Sequence, residues 1–294
     1  MARPREIRRR IRSVRNTGQI TRAMEMVAAS KMRRAQQHVI ATRPYADRIR
    51  SMIGDLANIG AGIGDDSTFP LLEHRPIERS EVIVVTSDKG LAGALNTNVI
   101  RRAVYLMGEE RPEGRDGAAN IDVVSIGRKA RDFFGRYGRG STAEFTDIGD
   151  DPTMADVRPI TELAIADFTS GRVDAVFVVY TRFINTLRQV PEVVQVLPIA
   201  PPTTYDVPTD YIFEPSPEAV LEALLPRFVE VQIYQAILES IASEHSARMV
   251  AMRNATENAE EIVDELTLSY NKARQAQITR EVSEIAAGAT ALSV

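Results

Sequence analysis

RFVEVQIYQAILESIASEHSARMVAMRNATENAEEIVDELTLSYNKARQAQITREVSEIAA, residues 227–287, runs sixty-one positions without a Pro or a Gly, and nearly every residue in it is a competent helix former. At about 1.5 Å per residue, one continuous helix would extend roughly 90 Å. A compact globule of this chain length has a radius of gyration near ~19 Å, so the stretch predicts a rod that its own fold cannot cover. Ser216-Pro217-Glu218 supplies a start signal of N-cap, first-turn proline and first-turn acid, and Pro226 stands where it could kink the opening turns. Beyond it, Met252, Thr256, Ala259, Val263, Leu266, Tyr270, Ala273 and Gln277 alternate steps of four and three, a heptad seam. Small and polar side chains at several of these sites predict close but not very stable packing.

A second helical run, from about Pro4 to Ile59, is the natural partner. Pro4 suits a first helical turn, where its missing N–H is no loss. Ile7, Ile11, Val14, Gly18 and Thr21 form one stripe, and Ile20, Met24, Val27, Lys31 and Ala35 a second. Pro44 is expected to bend or break this helix, and Gly60, Gly62 and Gly64 to end it. Residues 1–50 hold fourteen Arg/Lys against three Asp/Glu, whereas residues 217–294 hold twelve acidic and six basic residues. Opposite charge favours pairing of the two ends, most simply antiparallel.

Between the two helical ends the pattern changes to short apolar runs alternating with amphipathic stretches. Residues 81–87 (EVIVVTS), 121–127 (IDVVSIG) and 173–181 (VDAVFVVYT) read as buried strands, and 93–107, 128–137 and 153–170 as the connecting helices. Residues 187–199 read as a further strand that Pro191 and Pro198 would place at an edge. The fold class is therefore α/β, with a long antiparallel coiled coil of N- and C-terminal helices and a central Rossmann-like domain. The domains run 1–60 (N-terminal helix), 75–211 (α/β domain) and 216–294 (C-terminal helix), with 1–60 and 216–294 forming the coiled coil.

Composition narrows the function classes. With 44% hydrophobic and 26% charged residues the chain has the make-up of a soluble globular protein. It has no run of eighteen uncharged apolar residues, and MARPREIRRR lacks a secretory apolar core. Direct membrane insertion is not expected. The absence of cysteine excludes disulfides, thiolate metal sites and cysteine nucleophiles. SDKGLAGALNTN, residues 87–98, follows the first strand where a doubly wound sheet can cradle phosphate, but it matches neither G-x-G-x-x-G nor G-x-x-x-x-G-K-[ST]. It reads as a structural or contact turn.

The cluster Arg8, Arg9, Arg10, Arg12 and Arg15 could grip phosphates, yet Tyr45 is the only aromatic residue in the first fifty and base stacking has no platform. His38, His74 and His245 fall on separate segments, which argues against metal ligation or acid–base work. Asp65-Asp66 and Asp150-Asp151 read as solvated loop carboxylates. No catalytic, cofactor-binding or metal-binding constellation emerges. The uncharged tip, including Ile285, Ala286, Ala289 and Leu292, is unlike a frayed terminus and invites burial in a partner's sleeve, the alternative being a tip that folds back on its own domain.

The chain resembles the gamma subunit of the rotary proton-translocating ATP synthase in its bacterial form. The resemblance is carried by residues 7–36 (IRRRIRSVRNTGQITRAMEMVAASKMRRAQ), 86–98 (TSDKGLAGALNTN) and 243–292, from SEHSARMVAMRN to EIAAGATAL. It implies a central-stalk rotor, itself non-catalytic, present in one copy per complex. The coiled coil of 1–60 and 216–294 would be a shaft inside a ring of alpha and beta subunits, and the α/β domain, 75–211, a foot resting on the membrane c-subunit ring and contacting the epsilon subunit. The implied location is peripheral, on the cytoplasmic face of the cell membrane. Torque transmission would couple proton transport to ATP synthesis or hydrolysis. By resemblance, Arg274, Gln275 and Thr279 in NKARQAQIT match contacts to a beta-subunit loop, and Met24, Lys31 and Lys89 match positions near an acidic loop of beta.

Two departures stand out. Ala92 replaces a Cys common in the SD-x-G-L-C-G turn, and Gly18 replaces a common Gln, a change that costs up to about 1 kcal/mol of helix propensity unless it permits a close crossing. No cysteine-bearing insertion supports thiol regulation. The alternative reading is a nucleic-acid-binding coiled coil that uses the basic N-terminal helix. A nucleotide-dependent enzyme using residues 87–98 comes third.

Overall fold

The computed structural model describes residues 4–60, 69–109, 120–137, 140–200 and 214–292. Five helices and five strands follow in the order α1 (Pro4–Gly60), β1 (Arg79–Val85), α2 (Leu95–Glu109), β2 (Asn120–Ile126), α3 (Arg128–Arg136), β3 (Ala143–Phe145), α4 (Met154–Thr169), β4 (Ala175–Phe183), β5 (Gln189–Leu197) and α5 (Pro217–Leu292). A short 3₁₀ turn, Pro70–Leu72, precedes β1. Neither long helix ends at its interior proline: α1 passes Pro44 and α5 passes Pro226. A proline deletes one backbone bond, and each lies in a helix with buried apolar residues beyond it, Ala46, Ile49 and Ile53 in α1 and Phe228 and Val229 in α5.

The strands form one sheet in the order β3-β2-β1-β4-β5. β1 pairs parallel with β2 and β4, β2 pairs parallel with β3, and β5 closes the edge antiparallel to β4. Pro191 stands opposite Thr181 on that edge, where its missing N–H breaks no inner ladder. The side chains alternate as a pleat requires. Ile83, Val85, Val124, Ile126, Val176 and Val178 turn to one face, and Val82, Val84, Val123 and Val179 to the other.

The first face is covered by Ile160, Ala164 and Phe168 of α4, by Ala35, Val39, Ile49 and Ile53 of α1, and by Leu221, Val229, Ile233 and Ile237 of α5. The second is covered by Val99, Ala103 and Met107 of α2 and by Ala130 and Phe134 of α3. The sheet is therefore buried on both sides, which accounts for the near-continuous apolar runs of its strands.

Packing divides the chain into two compact units. One comprises residues 1–28 and 248–294, and the other residues 29–247. This division does not fall at the ends of the long helices, where the sequence boundaries of 60, 75, 211 and 216 lie. Residues 29–60 and 217–247 are helical, yet they bury their apolar faces with the sheet. Each long helix thus contributes to both units.

Candidate functional site

In the smaller unit, the beginning of α1 and the end of α5 run antiparallel. Thr21 and Thr256 meet through their hydroxyls at 2.7 Å in a buried position. One hydroxyl donates to the other, and the recipient's own proton goes to a helix carbonyl, Gly18 O at 3.1 Å or Met252 O at 2.9 Å. Beside them, a Cβ built on Gly18 would lie 3.3 Å from the Ala259 Cβ. The glycine thus sits at a close helix approach, the compensation expected for its poor helix propensity. Arg253 Nε donates to Glu25 Oε1 at 2.9 Å across the pair, and Arg22 and Glu260 form a looser, exposed contact.

The heptad reading of α5 holds from Met252 to Ala273. Met252, Thr256 and Ala259 are buried and Val263, Leu266, Tyr270 and Ala273 half-buried, while Gln277 is exposed. On α1 the stripe Ile7, Ile11, Val14, Gly18 and Thr21 is covered, but Ile20 and Val27 of the second series are exposed. Ala28, Met32 and Ala35 are the buried apolar residues in that stretch.

Arg274, Gln275 and Thr279 lie on the exposed end of α5. Nearby, Ile278, Val282 and Ile285 are large apolar side chains left in solvent, the last 72% exposed. Their spacing of four and three puts them on one helix face. Sequence reasoning singled out only Ile285 of this stripe, because the seam at Tyr270 and Ala273 draws attention to a different face. Ala286 is also exposed. Ala289 and Leu292 fall within α5, but their side chains lie outside the described residues. Met24 is half-buried and Lys89 exposed.

Lys31 belongs to the larger unit, where its ammonium donates to Asp150 Oδ2. The same carboxylate has its Oδ1 3.0 Å from His245 Nε2, and Asp151 Oδ1 lies 3.0 Å from His38 Nδ1. These two aspartates are therefore not ordinary solvated loop carboxylates, and two histidines that are remote in sequence converge on them. Partial burial pushes the Asp150 carboxyl up, but the Lys31 bond and the His245 and Lys31 charges outweigh it and hold it below the usual range. Asp65 and Asp66 lie outside the described residues.

The turn at 86–98 is filled by the chain's own groups. Asp88 accepts from the Arg128 amide at 3.0 Å and from the Asp147 amide at 3.1 Å. Thr86 Oγ1 donates to Ile126 O and accepts from the Ala130 amide. Asn96 Oδ1 takes the Ser87 N–H at 3.0 Å, and Asn96 Nδ2 donates to Ser87 Oγ at 2.8 Å. The start of α3 thus already holds an anion, the Asp88 carboxylate, where a phosphate would otherwise sit.

The cavity beside this turn measures about 40 Å³, far below the several hundred that a nucleotide occupies. Gly127, at φ 88°, is required here because a Cβ would approach Thr86 O to 2.2 Å. Ala92 is buried, and Leu91 next to it is 63% exposed at φ 64°, a left-handed conformation rare for a bulky residue. The turn is a rigid structural element with Lys89 and Leu91 at its outer surface.

Among the described residues, no helix is long and apolar enough to cross a membrane. The sequence model of the ATP synthase family matches residues 3–292. The chain is 55% identical over 291 residues to the ATP synthase gamma chain of Roseiflexus castenholzii, covering 98% of each. Its fold resembles a chain of the Euglena gracilis mitochondrial ATP synthase OSCP/F1/c-ring structure, with TM-score 0.67, 19% identity and coverage of 98% and 94%. It also resembles a chain of the Tetrahymena thermophila mitochondrial ATP synthase central stalk and c-ring, with TM-score 0.62, 22% identity and coverage of 80% and 99%. The nucleic-acid alternative gains no support from any of these likenesses. A full-length match at such identity, together with the paired helices and the sheet, places the chain in the ATP synthase gamma-chain family.

Proposed function

We propose that the chain is the rotor shaft of a bacterial ATP synthase, a non-catalytic subunit present in one copy per complex. The observation that carries this reading is the smaller unit, a slender antiparallel helix pair whose exposed α5 end presents Arg274, Gln275, Thr279 and the Ile278, Val282, Ile285 stripe. An asymmetric two-helix shaft offers a different face to each beta subunit of a surrounding ring. Its differential contacts would bias each site among its conformations, since a bound element shifts an equilibrium only by its differential affinity.

Met24, Lys31 and Lys89 complete the proposed contact set with the beta subunits. Lys31 is partly committed to Asp150, so it would present its charge jointly with that carboxylate. Charged contacts across a moving interface are weak and screened, which lets a rotor release them. The α5 tip around Ile285, Ala286, Ala289 and Leu292 would serve as the bearing. The α/β unit would rest on the c-subunit ring with the epsilon subunit, placing the chain peripherally at the cytoplasmic face of the membrane.

Reconstitution with alpha and beta subunits tests the reading. One chain per ring and a raised ATP hydrolysis rate are expected, and a ring whose hydrolysis is indifferent to the chain contradicts it. Gln275→Leu should weaken assembly or coupling more than Glu144→Gln on the exposed β3 strand. Equal effects would remove Gln275 from the contact set.

A further inference from the structure

The segment between β3 and α4, residues 146–153, is the meeting point of three parts of the larger unit. Lys31 and His38 are seven residues apart on α1, two helical turns, and so share a face. Tyr234 and His245 are eleven apart on α5, close to three turns, and also share one. Both faces are engaged by this one segment. Asp150 takes Lys31 of α1 on Oδ2 and has His245 of α5 against Oδ1. Asp151 pairs with His38, and the Tyr234 hydroxyl donates to Pro152 O at 3.0 Å.

The segment itself is anchored at both ends. Asp88 holds the Asp147 amide, and Asp156 of α4 accepts from the Thr153 N–H at 2.8 Å and from its hydroxyl at 2.7 Å. His245 is only 2% exposed, so its arm of the contact is shielded from competing water.

The remaining polar ties are unequal. α5 is also stitched to the sheet by Ser243 Oγ donating to Thr181 O at 3.1 Å and by the Phe183 amide donating to Glu239 at 3.3 Å. For α1, the polar bonds to the β3–α4 segment are those of Lys31 and His38. Interdigitated apolar packing already resists sliding of the two helices, and directional bonds between charged partners add to that resistance. Asp150 meets both long helices at once, accepting from Lys31 of α1 and lying 3.0 Å from His245 Nε2 of α5 as an ion-pair contact.

Resting on the rotor reading above, we propose that Asp150 is a positioning residue that braces α1 and α5 to the sheet, so that torque passes between the α/β core and both helices together. The polar brace has four arms: Lys31 and His245 on Asp150, His38 on Asp151, and Tyr234 on Pro152. Removing the Asp150 charge disables two of the four. Angular variance is inverse to stiffness, so it should rise by up to about twofold. Removing the Lys31 arm alone should raise it by up to about a third on the same reasoning.

The test uses the assembled alpha, beta and gamma complex with a bead fixed to the α/β core through Arg101→Cys and Arg136→Cys, which is convenient because the chain has no native cysteine. Angular variance during the ATP-waiting pause is compared among the parent, Asp150→Asn, Asp150→Glu and Lys31→Met, alongside maximal hydrolysis rates. The expected result is wider pauses in Asp150→Asn, a smaller widening in Lys31→Met, partial return in Asp150→Glu, and hydrolysis little changed in the two Asp150 variants; no such constancy is expected of Lys31→Met, because Lys31 also belongs to the proposed beta contact set. Parent-like variance in Lys31→Met, whether or not Asp150→Asn assembles, overturns the brace. So does a fall in hydrolysis that tracks the variance across the Asp150 variants, since that marks a general loss of structure. A parent complex that never rotates refutes the rotor reading instead, so the two failures are told apart.

Discussion

The two units use the same two helices in opposite ways. Between Leu221 and Met249, α5 is buried on most of its circumference, and Ala35 to Ile53 of α1 pack into the same core. Past Met249, burial on α5 contracts to a single stripe, and between residues 274 and 287 it disappears. A helix buried all round is fixed by its surroundings, whereas one buried along a stripe leaves most of its surface for partners. The larger unit is built to hold, and the smaller leaves its surface open to the contacts proposed above. The chemistry of the contacts follows the same division: large branched side chains fill the sheet core, and Gly18, Thr21, Thr256 and Ala259 sit at the helix crossing.

Substitutions should separate the units by size of effect. Phe168→Ala, at a fully buried ring that also carries the Arg75 guanidinium 4.7 Å from its centre, should destabilise the larger unit by about 3–5 kcal/mol. Thermal unfolding of the purified chain measures it. A loss under 1 kcal/mol would mean that the sheet core is looser than its burial implies.

Glu81 offers a sharper probe. It is 0% exposed on β1, facing Asp122 of β2, Asp167 of α4 and Arg172. Burial first, then the Asp167 charge, pushes its carboxyl up from the ordinary 4.5 to about 8. A group whose folded pKa is raised contributes stability below its unfolded pKa and loses it as pH climbs to the folded value. Its penalty therefore grows from pH 4.5 to about 8 and then levels off. Glu81→Gln, which cannot ionise, should be stabilised relative to the parent by on the order of 3 kcal/mol at pH 7 and by little at pH 4.5. Denaturation at several pH values reads the difference. A gap that does not change with pH would show that Glu81 is not held protonated.

In the smaller unit, replacing the hydroxyl pair has a milder effect. Thr256→Val should cost about 1 kcal/mol of helix pairing, because Thr21 loses its partner across the pair and keeps only the Gly18 carbonyl of its own helix, and Thr21→Val,Thr256→Val should recover part of it. The expectation concerns the order of the two variants, and a double variant worse than the single would contradict it. Gln275→Leu should change stability by less than about 0.5 kcal/mol while weakening coupling, because the side chain is exposed. A large stability loss there would break the contrast between a holding unit and a contact unit.

The same contrast explains what could be read in the chain before its structure. Strands β1, β2 and β4 are apolar runs because both sheet faces are covered, and runs of that kind are visible in one dimension. β3 was missed because Ala143–Phe145 has three residues, is only partly covered and leaves no periodic trace. Placing β5 at the edge followed from two prolines, and the Met252–Ala273 seam from its own spacing.

The Asp150–His245–Lys31 cluster was not legible. Lys31 and Asp150 are 119 positions apart, and nothing local distinguishes a bracing aspartate from a solvated one. The buried state of Glu81 was hidden for the same reason, since a charged residue at the start of an apolar run ordinarily marks the strand's exposed end. Pro44 misled in the other direction, because local propensity argued for a break that burial of the following turns overrides.

The central claim is that this chain turns inside a catalytic ring. Its most direct test is single-molecule observation of a bead on the α/β core of the chain assembled with alpha and beta subunits in saturating ATP. The account predicts sustained rotation in one direction that stops when ATP is withdrawn. Steady ATP hydrolysis by the assembled complex with the bead confined to random fluctuation about one angle would contradict it.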